Sequence, residues 1–133
     1  MSSSVLVVEN YPDLCSAIVE TLARSEYACE SASTAEDAII KLREHHYEAI
    51  LLAPCMPIRN DPVMRFLTES QPGEIHKVIL MTDPPIGEET DPDECRVLVK
   101  PFNNEQLFAQ LRPIAALALN RIRAPRIEIL RRS

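Results

Sequence analysis

Residues 47–57 read YEAILLAPCMP. Five apolar residues in a row, Ala49 to Ala53, with no polar alternation suit a central parallel strand covered on both faces. Pro54 and Pro57 stop it. The turn at the carboxyl end of such a strand is where an α/β protein usually carries its most reactive side chain, yet here the strand ends on Ala53, which can do no chemistry.

Working outward, SVLVV (4–8) is a β-branched run too short for a helix, and Pro12 suits the first turn of the helix after it. Leu14, Ile18 and Leu22 recur at helical spacing, and YACESA (27–32) is extended again. Ser33-x-x-Glu36 reads as a capping box opening a helix through Ala38, Ile39 and Leu42. DPVMRFLTES (61–70) is a short helix, KVILMT (77–82) a fourth strand and RVLV (96–99) a fifth. NNEQLFAQLRPIAALAL (103–119) is a last helix, with a kink expected at Pro113. This alternation means right-handed crossovers and a parallel sheet with helices on both faces. One unit is weak: DPPIGEETDPDE (83–94) has three prolines, six acids and no apolar stripe, so the helix between strands four and five should be short or absent.

A chain of 133 residues is about one domain. Hydrophobic residues at 46% and charged residues at 26% fit a globular chain and not a disordered one. Net charge is −6; residues 121–133 hold five arginines and one glutamate, +4, so residues 1–120 carry −10. The division is a domain at 1–120 and a basic C-terminal tail at 121–133. An acidic body argues against nucleic acid as the main ligand. No apolar run approaches the ~18 residues of a membrane span, and MSSSVLVVEN lacks a basic leader, so no membrane association and a cytoplasmic location are expected. Cys15, Cys29, Cys55 and Cys95 form no CxxC pair, which points to buried thiols and not to zinc. His45 and His46, adjacent, do not share a helix face as a metal pair would. With glycine only at 73 and 87, no phosphate-binding glycine loop is possible; no hydrolase triad is recognisable, and an enzyme is not expected.

In an open doubly wound sheet, ligands bind beyond the carboxyl ends of the strands at the switch in strand order. Those ends carry Glu9-Asn10, Ala53, Thr82-Asp83 and Lys100-Pro101. With VLVVEN, YEAILLAPCMP, VILMTD and VLVKPF in this order, the chain from Val5 to about Leu119 resembles the receiver domains of two-component response regulators, the CheY-like group. The resemblance implies a flavodoxin-like five-stranded parallel sheet of order 2-1-3-4-5. It also implies a phosphotransfer site in which two acids after strand one and an aspartate ending strand three hold Mg²⁺. The aspartate accepts a phosphoryl group from a histidine kinase; a threonine or serine and a lysine before a cis proline bind the phosphate.

Carried over by position, Glu9 and Asn10 match the acidic pair, Ala53 the phosphoacceptor, Thr82 the hydroxyl, Lys100 the lysine and Pro101 the cis proline. Ala53 removes both nucleophile and metal ligand, so Mg²⁺ binding should be weak or absent and no acyl phosphate should form. Val97 stands at the aromatic switch position and Asp83 where a small residue is usual. An ammonium near buried strand ends needs an anionic partner, for which Glu9 and Asp83 are candidates. The reading is a degenerate pseudo-receiver, a phosphorylation-independent protein-interaction module. Its partner is unidentified, and a homodimer could form through the apolar 113–123 segment or the rebuilt fourth-helix region. The alternatives are an ordinary phosphorelay receiver with a displaced phosphoacceptor and a thiol redox sensor at Cys55, whose thiolate Lys100 would favour.

Overall fold

The computed structural model describes residues 4–54, 60–83 and 96–114. Five strands, β1 (Ser4–Val8), β2 (Ala28–Ala32), β3 (Ala49–Leu52), β4 (Val78–Thr82) and β5 (Arg96–Val99), form one sheet of order β2-β1-β3-β4-β5. Every pairing is parallel. The helices are α1 (Pro12–Arg24), α2 (Ala35–Glu44), α3 (Pro62–Ser70) and α4 (104–114). A 3₁₀ segment, Pro72–Lys77, leads into β4 and has no counterpart in the sequence reading.

The unbroken apolar strands make two cores instead of one. In β1, β3 and β4 alternate residues point to opposite faces. Leu6, Val8, Ile50, Leu52, Val78 and Leu80 meet Ala38 and Leu42 of α2 and Val63, Met64 and Leu67 of α3. Val5, Val7, Ala49, Leu51, Ile79 and Met81 meet Ile18 and Leu22 of α1 and Leu107, Leu111 and Ile114 of α4. A fully buried Leu or Ile contributes about 1.5–3 kcal/mol, against about 1 kcal/mol for a helix cap. Packing on the sheet therefore sets where the helices lie, and the caps adjust only their ends.

Those ends differ from the sequence reading in one place. The cap of α2 is Thr34, not Ser33: its backbone is extended and its Oγ1 accepts the Asp37 N–H at 3.1 Å, so the motif is Thr34-x-x-Asp37. An N-cap must be extended while the next residue is already helical, and here the helix begins at Ala35. Asp37 thereby stands one turn before Lys41 and pairs with it at 2.9 Å. Pro12 opens α1 as expected. That helix closes with a Schellman motif, in which Tyr27 N–H donates to Leu22 O and Glu26 N–H to Ala23 O while Glu26 takes a left-handed φ of 68°.

The 84–94 crossover, Cys55, Cys95, residues 115–123 of the apolar segment, the domain boundary at 120 and the basic tail lie outside the described residues. The last described helix runs through Pro113 to Ile114, which is buried against the α1 side of the sheet. Among the described residues no helix is long and apolar enough to cross a membrane.

Candidate functional site

The strand order places β1 and β3 side by side while the chain leaves them towards opposite edges of the sheet, which opens a crevice at their carboxyl ends. A cleft of about 280 Å³ occupies that place, lined by Asn10, Tyr11, Ala53, Pro54, Met81, Thr82, Asp83 and Lys100. A neighbouring hollow of about 470 Å³ shares Asp83 and Lys100 and continues past Leu14, Pro101 and Phe102. Asn10, Ala53, Thr82 and Lys100 thus converge from four strand ends.

Glu9 follows β1 and is buried, 1% exposed. Its N–H donates to Ala32 O, which anchors the strand end, and both carboxylate oxygens are engaged. Oε1 accepts the Tyr11 N–H at 3.2 Å, and Oε2 accepts from Lys100 Nζ at 2.9 Å. Of the two candidate partners for Lys100, Glu9 holds this contact, and Asp83 lines the cleft beside it. Lys100 Nζ also lies 5.4 Å from the centre of the Tyr11 ring, a cation–π distance. The lysine is held from its backbone as well, since its N–H donates to Thr82 O at 2.7 Å, and the Lys100–Pro101 peptide is cis.

Thr82 Oγ1 is buried and has no hydrogen-bond partner among the described residues. Val97, on β5, is half-buried in register with Leu80. Burial raises the Cys15 thiol pKa, only partly offset by a hydrogen bond from Ser31, and burial also raises that of Cys29. Both are therefore poor thiolates at neutral pH. His46 sits at the surface with Nδ1 3.4 Å from Glu74.

Sequence reasoning passed over two residues, one at this cleft and one at the start of α3. Tyr11 contributes both a backbone donor to Glu9 and a ring to Lys100, neither of which has a local sequence signal. Asp61, also 1% exposed, caps α3 by accepting from Val63 and Met64 N–H at 2.9 and 3.1 Å. Its signal was present in the Asp-Pro pair at the helix start.

No protein-family model matches this chain, and no curated protein does either. Solved structures do. The signal receiver domain of an HD domain-containing protein from Pseudomonas fluorescens superposes with a TM-score of 0.73 at 19% identity, covering 87% of this chain and 96% of that one. The receiver domain of the sensor histidine kinase PA1611 from Pseudomonas aeruginosa, which has a magnesium ion coordinated in its active-site cleft, gives 0.72 at 21%, covering 86% and 99%. The fold is that of a CheY-like receiver domain. A third such structure, the response regulator TrrA of Thermotoga maritima in complex with its histidine kinase ThkA, gives 0.68 at 22% and covers 84% and 97%.

For a magnesium ion like that of the PA1611 receiver domain, the described residues of this cleft make a poor donor set. A hard cation needs several oxygen ligands. At this receiver-fold cleft Ala53 offers none from its side chain, and both oxygens of Glu9 already accept hydrogen bonds, one of them from an ammonium. Among the described residues no three His, Cys, Asp or Glu side chains cluster as a metal site.

Proposed function

We propose that this chain is a pseudo-receiver of a two-component-type system, a cytoplasmic module that works by binding protein in one phosphorylation-independent state. The observation that carries the reading is the combination at the cleft: alanine where a phosphoacceptor would stand, with the lysine that would meet a phosphoryl group bonded instead to Glu9. Transfer to this position needs a nucleophilic oxygen, and a methyl group has none. Val97 supports the same conclusion, because a valine cannot repeat the inward swing of an aromatic ring that couples a receiver's site to its surface. The complex of TrrA with its kinase makes a protein the first class of partner to seek. Of the apolar 113–123 segment, Ile114 is buried in the domain's own core, and residues 115–123, outside the described residues, are the part proposed to meet such a partner or a second copy.

Amide NMR of the labelled protein tests this, recorded before and after Mg²⁺ and then acetyl phosphate, with intact mass in parallel. The expected result is no added phosphoryl mass and unmoved peaks at Glu9, Thr82 and Lys100. A stoichiometric phosphoryl adduct on the natural chain would overturn the reading and favour a displaced phosphoacceptor.

A further inference from the structure

We propose that the Lys100 ammonium is the resident cation of this cleft. It sits on the Glu9 carboxylate where a divalent ion would otherwise bind, so that the protein excludes Mg²⁺ by occupying its own site and not merely by lacking a carboxylate at position 53. The inference deepens the pseudo-receiver reading and rests on it.

The side chain of Glu9 is 0% exposed and that of Lys100 14%. A carboxylate removed from water this completely requires an opposite charge or a set of donors. Glu9 has one of each: the Lys100 ammonium at 2.9 Å on Oε2 and the Tyr11 N–H at 3.2 Å on Oε1. The ammonium itself meets Glu9 and the Tyr11 ring at 5.4 Å, and the backbone of its residue is fixed separately by the bond from Lys100 N–H to Thr82 O. Tyr11 serves both partners, so the arrangement is a closed unit of three residues. A dication approaching Glu9 would have to displace the ammonium and leave it confined nearby, like charge beside like charge in a poorly solvated place. The cleft side chains that could offset this are the Asn10 amide and the Asp83 carboxylate, while Ala53 brings nothing; with the ammonium in place they do not outweigh it.

The consequence is that metal exclusion depends on Lys100. Removing the ammonium leaves a buried carboxylate at the cleft wall with Asn10 and Asp83 near at hand, and such a group attracts a cation. The probes are Mg²⁺ alone, followed by substoichiometric Mn²⁺, whose unpaired electrons broaden amides close to it. They would be added to the ¹⁵N-labelled natural chain, to Lys100→Met and to the double variant Glu9→Gln/Lys100→Met. The natural chain is expected to show neither Mg²⁺ shifts nor local Mn²⁺ broadening at residues 9–11 and 53. Lys100→Met should show saturable shifts and broadening there, and a thermal midpoint raised by Mg²⁺ but not by NaCl of equal ionic strength. The double variant should lose all of these.

Metal binding at Glu9 in the natural chain would overturn the proposal, as would a folded Lys100→Met that gives no saturable shift. If Lys100→Met is unfolded without metal, recovery of a dispersed spectrum on adding Mg²⁺ supports the proposal, and failure to recover overturns it. A phosphoryl adduct on the natural chain would instead remove the underlying pseudo-receiver reading, whereas Mg²⁺ binding without an adduct sinks only this inference.

Discussion

The end of β1 and the start of α3 each bury an acid to 1% exposure, and the bonds seen on the two differ in reach. Asp61 accepts from backbone donors of its own helix, two and three residues on. Glu9 depends on an ammonium 91 residues away in the chain. The Glu9 contact ties the end of β1 to the end of β5 across the sheet.

Breaking the long-range partnership should have the largest effect. Lys100→Met leaves Glu9 buried without its counter-charge and is expected to lower the unfolding free energy by about 3–5 kcal/mol. Adding Glu9→Gln should restore much of the loss, so that a double-mutant cycle in urea gives a large coupling. Additive losses would mean that the two side chains do not depend on each other.

The local partnership should cost less. Asp61→Ala removes two bonds to backbone donors in a buried setting and is expected to lose about 2 kcal/mol, the upper end for an N-cap. Thr34→Ala, at the exposed cap of α2, should lose about 0.5–1 kcal/mol. Equal losses in urea unfolding would show that burial does not separate the two caps.

The smallest effect concerns Glu74, intermediate between these cases. Burial opposes its ionisation, but Lys77 at 2.6 Å and then His46 overcome that, and its carboxyl is held below its ordinary pKa. A lowered folded pKa gives stability that is present above the unfolded value, about 4.3, and is lost as pH falls through the folded one. Glu74→Gln should therefore cost under about 1 kcal/mol at pH 7, and the gap from the natural protein should close as pH falls through the lowered folded pKa. A gap that persists in acid would assign the loss to packing instead of charge.

The strands were legible because β1, β3 and β4 are short runs apolar on both faces, which suits a doubly covered parallel sheet once they alternate with helices. The helix faces were legible from Ile18 and Leu22, and from Ala38 and Leu42. The α2 cap was misplaced by one residue, since Ser33 and Thr34 are both capping residues with an acid three positions on and only the packed helix selects between them. At the cleft, the positions of Asn10, Ala53, Thr82 and Lys100 followed from strand ends that could be counted.

The sequence by itself determined the element order, the sheet's burial on both faces and the absence of a nucleophile at position 53. All of these are properties of residue type and local period. The tertiary structure alone decided that Lys100 is bound to Glu9 and that Tyr11 serves both. Those contacts depend on where strand order brings chain segments far apart in sequence, and on the need of a carboxylate removed from water for a charge it can reach.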